Sequence, residues 1–208
     1  MWTSDVHRFW NNSVRVRCPH LTLDPAGQIL EFRPMPTRKR FPLKGPAMAF
    51  ITTSVYEWIP VFGDKECSLC VLKQLKETVD HFKISLVAYV IMPTHIHFLA
   101  GFKDIEKLSK VMQSFKILTS KKLKLLLSDG MKSNFLFTGH FRLWQDRFDD
   151  VIIWSEKQFK IKIEYIHNNP VKAGLAESAV DFVYSSAKDW LGNRPGMIPI
   201  DKNWTWQK

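Results

Sequence analysis

The sequence predicts an α+β fold, and three observations lead there. Met48 to Tyr56, Ile84 to Met92 and His95 to Phe102 are runs of strand length rich in apolar and β-branched residues. Cys67, Cys70, Val71, Leu75, Val79 and Phe82 recur at helical spacing, and so do Leu108, Val111, Met112, Phe115 and Leu118. With a further strand after the second helix, the order is βαββαβ, that of a ferredoxin-like domain.

The first 46 residues differ from the rest of the chain. Six prolines between Pro19 and Pro46 punctuate them, and proline breaks both helices and central strands. Leu21 to Phe32 reads as a hairpin turning at Asp24-Pro25-Ala26-Gly27. Arg38, Lys39 and Arg40 form a basic cluster suited to gripping DNA, although a solvated linker carries such charges too. Residues 1–46 are therefore expected to be an arm, 47–191 the main domain and 192–208 a tail. The first strand is expected over Met48–Tyr56 and a helix over Glu66–Phe82. A buried strand covers Ile84–Met92, Pro93-Thr94 interrupts it, and a second strand begins at His95. A long helix over Ile105–Leu127 comes next, with Lys110, Lys116, Lys121, Lys122 and Lys124 on its outer face. Phe135–Phe148 reads as one more strand or a hairpin. Ser155 with Gln158 three residues on resembles a capping box. The helix it opens, carrying Phe159, Ile163 and Ile166, is expected to stop before Pro170, and Gly174 marks a turn.

Composition narrows the function. With 45% hydrophobic residues among 208, a packed core is expected. The chain has 30 Lys and Arg against 20 Asp and Glu, a net charge of +10 that favours a polyanionic partner such as nucleic acid. No apolar run is long enough for a membrane span, and no secretory signal is read, so a cytoplasmic protein is expected. Three cysteines, Cys18, Cys67 and Cys70, make no disulfide framework. Cys67 and Cys70 fall on a helix's apolar stripe, where small buried side chains are the plainer reading than metal ligands.

Two short segments carry chemistry. In His95-Ile96-His97 the imidazoles are two apart on a strand, so both face one side while Ile96 faces the core. Such a pair can chelate one cation, or it can be two polar surface residues. In Tyr165-Ile166-His167-Asn168-Asn169-Pro170, Tyr165 and Asn169 are four apart on one helical face. A phenol is a weak nucleophile until a cation polarises its target and favours the phenolate, and an amide oxygen is a hard ligand suited to Mg²⁺ or Mn²⁺. His167 lies about 200° around the helix from Tyr165 and is not counted as a ligand. Taken alone, Tyr165 also reads as an ordinary packed helix residue.

The longer segments decide between these readings. Val90-Ile91-Met92-Pro93-Thr94-His95-Ile96-His97-Phe98-Leu99 closely resembles the HUH motif of the single-tyrosine transposases. Tyr165 to Leu175 closely resembles the tyrosine motif of one branch, the REP-associated tyrosine transposases, as do Trp144-Gln145 and Tyr184-Ser185-Ser186. The resemblance covers residues 47–191. It implies that His95 and His97 bind the metal, that Tyr165 is the nucleophile, and that Asn169 completes the metal site. It further implies cleavage of single-stranded or hairpin DNA through a 5′-phosphotyrosine, by a monomer or homodimer. Where the family usually has asparagine before the first histidine, this chain has Thr94, whose hydroxyl can still hydrogen-bond locally. Among the basic residues, Arg38, Lys39, Arg40, Lys116, Lys121 and Lys122 are expected to contact DNA. Trp204 and Trp206 are candidates for stacking on bases. A domesticated hairpin-binding protein without transposition activity is the alternative, and intact His95, His97 and Tyr165 favour the enzyme.

Overall fold

A computed structural model describes residues 43–192 and 194–203, together with the backbone of two short strands before them. The chain divides into two units, Met1–Phe41 and Pro42–Lys208. In the first, β1 (Leu21–Leu23) and β2 (Ile29–Phe32) pair antiparallel with Leu21 opposite Phe32, as the expected hairpin requires. Arg38, Lys39, Arg40, Trp204 and Trp206 lie outside the described residues.

The second unit is built on a four-stranded antiparallel sheet. Its strands are β3 (Ala47–Ser54), β4 (Ser85–Met92), β5 (His95–Phe102) and β8 (Asp149–Ile153), in the spatial order β4-β5-β3-β8. Counted within the sheet as first to fourth, that order is 2-3-1-4, the ferredoxin-like arrangement that βαββαβ predicts. Two helices cross one face: α1 (Lys65–Phe82) and α2 (Leu108–Leu126), the latter entered through a 3₁₀ turn at Ile105–Lys107. Asp64 caps α1 by accepting from the Cys67 amide at 2.9 Å, which satisfies one of the first-turn donors. Ile51, Val71, Leu72, Ile96, Phe98, Val111, Met112 and Phe115 fill the space between them and the sheet. Cys67 is buried in the same core, and that burial pushes its thiol up to about 12, as suits an apolar side chain.

The other face is covered by one long helix. After a five-residue helix α3 (Asp129–Ser133), the chain makes a short antiparallel hairpin of β6 (Leu136–Phe137) and β7 (His140–Phe141), the hairpin alternative of the sequence reading in place of one longer strand. Phe135 and Leu143 pack onto the apolar core from the irregular backbone on either side of it, so their hydrophobicity reflects burial and not a ladder. The fourth strand of the sheet is β8, immediately beyond. Helix α4 (Glu156–Lys172) then returns across β4 and β5, with Ile166 fully buried against Met48, Val87, Val90 and Leu99. The capping box forms with its return bond displaced by one residue. Ser155 Oγ accepts from the Gln158 amide, and Gln158 Oε1 accepts from the Trp154 amide at 2.8 Å.

Contrary to the sequence expectation, α4 does not stop before Pro170. The proline is buried inside the helix, and the last turn closes through Ala173 N–H to Asn169 O at 3.0 Å. Its ring costs one backbone donor, which burial of the ring offsets. Gly174, at φ 69°, ends the run.

Strand β4 is an edge strand, but its edge is closed. Tyr184 O accepts from the Ile91 amide at 2.9 Å, the Ser186 amide donates to Tyr89 O at 3.0 Å, and Asp201 N–H reaches Leu86 O at 2.6 Å. The segment after α4, including the short helix α5 (Ala187–Leu191), thus hides a row of backbone groups that would otherwise template pairing with another chain.

Candidate active site

Strand register places the histidines in two rows that cross the sheet. His97 on β5 pairs with Val90 on β4 and Thr52 on β3, and Thr52 pairs with Asp149 on β8. One row nearer the strand end, His95 pairs with Met92 and Ser54. Alternation puts both imidazoles on the α4 face, with their ring centroids 4.6 Å apart. Ile96 is fully buried on the opposite face, as the spacing requires.

The Tyr165 ring meets this pair from the helix. Its centroid is 5.3 Å from that of His97 and 5.7 Å from that of Phe50, which itself stacks on His97 at 5.5 Å. The three residues that two distant motifs supply therefore converge within one chain. Tyr165 is 39% exposed whereas His97 is only 5% exposed, so the site is open at the phenol and closed behind the imidazole.

Threonines fix both rings. Thr52 Oγ1 is 2.7 Å from His97 Nδ1, and Thr94 Oγ1 is 2.8 Å from His95 Nδ1. Thr94, the position that departs from the family pattern, thus holds the ring beside it. In the tautomer that gives Nδ1–H to the hydroxyl, the lone pair left for a ligand is on Nε2. His97 Nε2 is buried without a hydrogen-bond partner among the described residues, an atom that would be costly to leave bare unless a cation takes it. Burial holds His95 down to about 4 and His97 well below the ordinary histidine value, His97 being further depressed by His95 and by Lys162. Both imidazoles are therefore neutral at neutral pH, the form that coordinates metals.

The donor set fits a divalent cation. Asn169 donates its amide nitrogen to the Tyr165 carbonyl at 2.7 Å, which leaves the amide oxygen as its ligand atom, one turn from the phenol. The described residues hold no group of three or more His, Cys, Asp or Glu able to share a metal, so two imidazoles are the nitrogen ligands they offer. The remaining ligands would be oxygens, from Asn169, water or substrate, which suits Mg²⁺ or Mn²⁺.

Not every residue expected at DNA is placed there. Lys116 points inward: its ammonium donates to the carbonyls of Gln145 at 2.5 Å, Arg147 at 3.3 Å and Asp146 at 3.4 Å. Burial pushes it down to about 8, and it pins the Trp144-Gln145 segment rather than a phosphate. Lys122 pairs with Glu77 of α1 at 2.6 Å. Lys121 is exposed, but α2 lies on the face of the sheet away from the histidines. His167 is buried with Nε2 2.9 Å from Ser186 Oγ, which also accepts from the Tyr89 amide, so it anchors α4 to the β4 edge and is no ligand.

Three further residues of the site escape a reading of the sequence. Thr52 and Phe50 alternate along β3, but only the pairing of β3 with β5 brings them beside His97. Lys162 is within reach of helical spacing, one turn before Tyr165. Its Nζ stands 4.3 Å from the Phe50 ring centroid and 5.4 Å from that of Tyr165.

A ferredoxin-like sheet that presents two histidines to a helical tyrosine defines the class of this site. Residues 55–169, more than half the chain and inclusive of the two histidines, Tyr165 and Asn169, match the family model described as "Transposase IS200 like". The chain belongs to this family. It is 28% identical over 133 residues to a Haemophilus influenzae protein described as a REP-associated tyrosine transposase, an alignment spanning 57% of this chain and 73% of that one. Its fold is that of a REP-associated tyrosine transposase solved bound to a REP hairpin. The two share a TM-score of 0.61 at 18% identity, over 82% of this chain and 95% of the other.

Proposed function

We propose that this protein cleaves and rejoins single-stranded DNA next to a hairpin, with Tyr165 as the nucleophile and a divalent cation, Mg²⁺ or Mn²⁺, held by His95, His97 and Asn169. The observation that carries this reading is the 5.3 Å approach of the Tyr165 and His97 rings within one chain. A site complete in one chain needs no partner subunit for its ligands, and a monomer suffices.

Tyr165 attacks the scissile phosphorus, the Tyr165 Oη–P bond forms, and the P–O3′ bond breaks. The phenolic proton passes to solvent and the departing 3′ oxygen takes one up, so neither water nor nucleotide triphosphate is consumed. The 5′-phosphotyrosine keeps the bond energy, and a 3′-OH from a second strand reverses the step. When bound, the cation neutralises charge on a non-bridging phosphate oxygen. Because both histidines and Asn169 are neutral ligands, its full charge remains available to the substrate. The chain's own residues do the rest: Thr52 and Thr94 aim the imidazoles, and α4 places the phenol. A net charge of +10 attracts the polyanion, with Arg38, Lys39 and Arg40 as the basic contacts we assign to DNA. The hairpin preference is supported by the relative solved on a REP hairpin. No helix among the described residues is long and apolar enough to cross a membrane, and we place the protein with its DNA in the cytoplasm.

The test is to incubate the protein with Mn²⁺ and an oligonucleotide bearing a hairpin and a single-stranded flank, then run a denaturing gel. A slow-migrating covalent adduct is expected with the wild type and is abolished in Tyr165→Phe and His97→Ala. An adduct that survives Tyr165→Phe refutes the assignment. DNA retarded on a native gel with no adduct formed identifies a hairpin-binding protein that has lost transposition.

A further inference from the structure

Resting on that reading, we propose that Lys162 is a further catalytic residue: its ammonium binds a non-bridging oxygen of the scissile phosphate while Tyr165 attacks. Its position sets up a conflict of charges. Lys162 sits on α4 one turn before Tyr165, with Nζ 5.4 Å from the phenol ring centroid. It is also 4.3 Å from Phe50, the ring that stacks on His97. A fixed positive charge so close to the imidazoles opposes any cation they hold, and the same repulsion helps keep His97 neutral.

Among the described residues, nothing relieves this conflict. None of the ion pairs they form includes Lys162. Asp149, exposed and in the same cross-strand row as Thr52 and His97, forms no ion pair with it. What holds the ammonium is the faces of two aromatic rings. A cation–π contact positions a lysine without cancelling its charge, whereas a carboxylate would cancel it. Partial burial, which disfavours the ammonium, adds to the cost of leaving it unmatched.

The arrangement becomes favourable when an anion with several free oxygens lies between the two cations. A phosphodiester is such an anion. Attack by a phenolate adds a second negative charge to its oxygens, so the same two cations stabilise the transition state more than the bound substrate. Lys162 keeps its proton throughout. It supplies charge, not acid, and the bonds made and broken remain those between Tyr165 Oη, phosphorus and O3′.

This predicts a sign reversal that a packing role for Lys162 would not produce. In the full-length protein without DNA, Lys162→Met should bind Mn²⁺ about 3- to 10-fold more tightly, because the repulsion is gone. With the oligonucleotide present in a Tyr165→Phe background, where no cleavage occurs, the same substitution should weaken the mutual enhancement of Mn²⁺ and DNA binding by a similar factor. The rate of adduct formation in the Tyr165 protein should fall about 100-fold in Lys162→Met and recover at least partly in Lys162→Arg. Thermal unfolding of both variants should stay close to the wild type, because a single cation–π contact at a half-buried lysine contributes little to stability. Unchanged Mn²⁺ affinity without DNA, or an adduct rate unaffected by Lys162→Met, overturns the proposal. If the histidine site itself is wrong, the signature differs: wild type and His97→Ala then bind Mn²⁺ equally.

Discussion

The two faces of the sheet share every strand yet are covered in opposite ways. On one, α1 and α2 bury seven of 18 and six of 19 residues, and the strands between them contribute Ile51, Ile96 and Phe98. On the other, α4 buries three of 17, and the strands contribute His95, His97 and Thr52 at one end of an apolar cluster that includes Met48, Phe50, Val90 and Leu99. A helix that fits tightly on a sheet stabilises it, but a nucleophile needs room for a phosphate. The looser fit of α4 leaves Tyr165 open to solvent, while Ile166 and His167, the next two residues, anchor the helix. Lysines divide in the same way. On α2, Lys116 is committed to backbone carbonyls and Lys122 to Glu77, whereas on α4 Lys162 keeps an unmatched charge at the site. One face carries most of the buried helix packing and the other the proposed chemistry, and single substitutions can separate the two.

The largest effect is expected on the tight face. Phe115 is 1% exposed and lies 5.8 Å from the Trp144 ring. Phe115→Ala should cost about 3–5 kcal/mol in urea unfolding, through lost burial and the cavity left behind. Mn²⁺ affinity of the folded protein should hardly change, and a parallel loss of affinity would show that the faces are coupled.

Acid should load the other face. Burial holds His167 and His95 at about 4, against an ordinary value of 6.5. The unfolded chain takes up protons near 6.5 that the folded face refuses until about 4, so unfolding becomes easier as protons become available. Stability is complete above pH 6.5 and is lost progressively as the pH falls from 6.5 to 4. For His167 alone the loss is roughly 3 kcal/mol. His167→Gln, which keeps a hydrogen-bonding group toward Ser186, should flatten this slope between about pH 6.5 and 5. An unchanged slope would place the acid sensitivity elsewhere.

The smallest effect in free energy is the most local. Thr52→Val removes the hydroxyl from His97 Nδ1 while nearly conserving volume. Mn²⁺ binding should weaken about 10- to 100-fold, because the ring loses its orientation and tautomer. Isothermal titration checks this, and affinity equal to wild type would remove Thr52 from the site.

Much of this molecule is legible in its sequence, for reasons that differ by element. His95–Phe102 forms where the sequence predicts it, because a strand buried on both faces is a run of apolar residues with nothing to disguise it. The helices over Lys65–Phe82 and Leu108–Leu126 are read from their one-sided apolar stripes. Strand β8 is harder to find because Asp149 and Asp150 open it, and an edge strand with a wet face tolerates acids that a central strand does not. Pro170 reads as a helix terminator, because local backbone preference says nothing of the burial that holds it.

The sequence by itself determined the elements and the chemical groups: two imidazoles on one side of a strand, and a phenol with an amide one helical turn away. Those facts are local, set by the two-residue period of a strand and the roughly 3.6-residue period of a helix. Only the tertiary structure decided which groups meet. Thr52 behind His97, Phe50 beneath Tyr165 and Lys162 beside both come from the pairing of β3 with β5 and the lie of α4 across them. Lys116 is turned inward by the same packing. Contacts between residues far apart in the chain depend on register and burial, which no local pattern records.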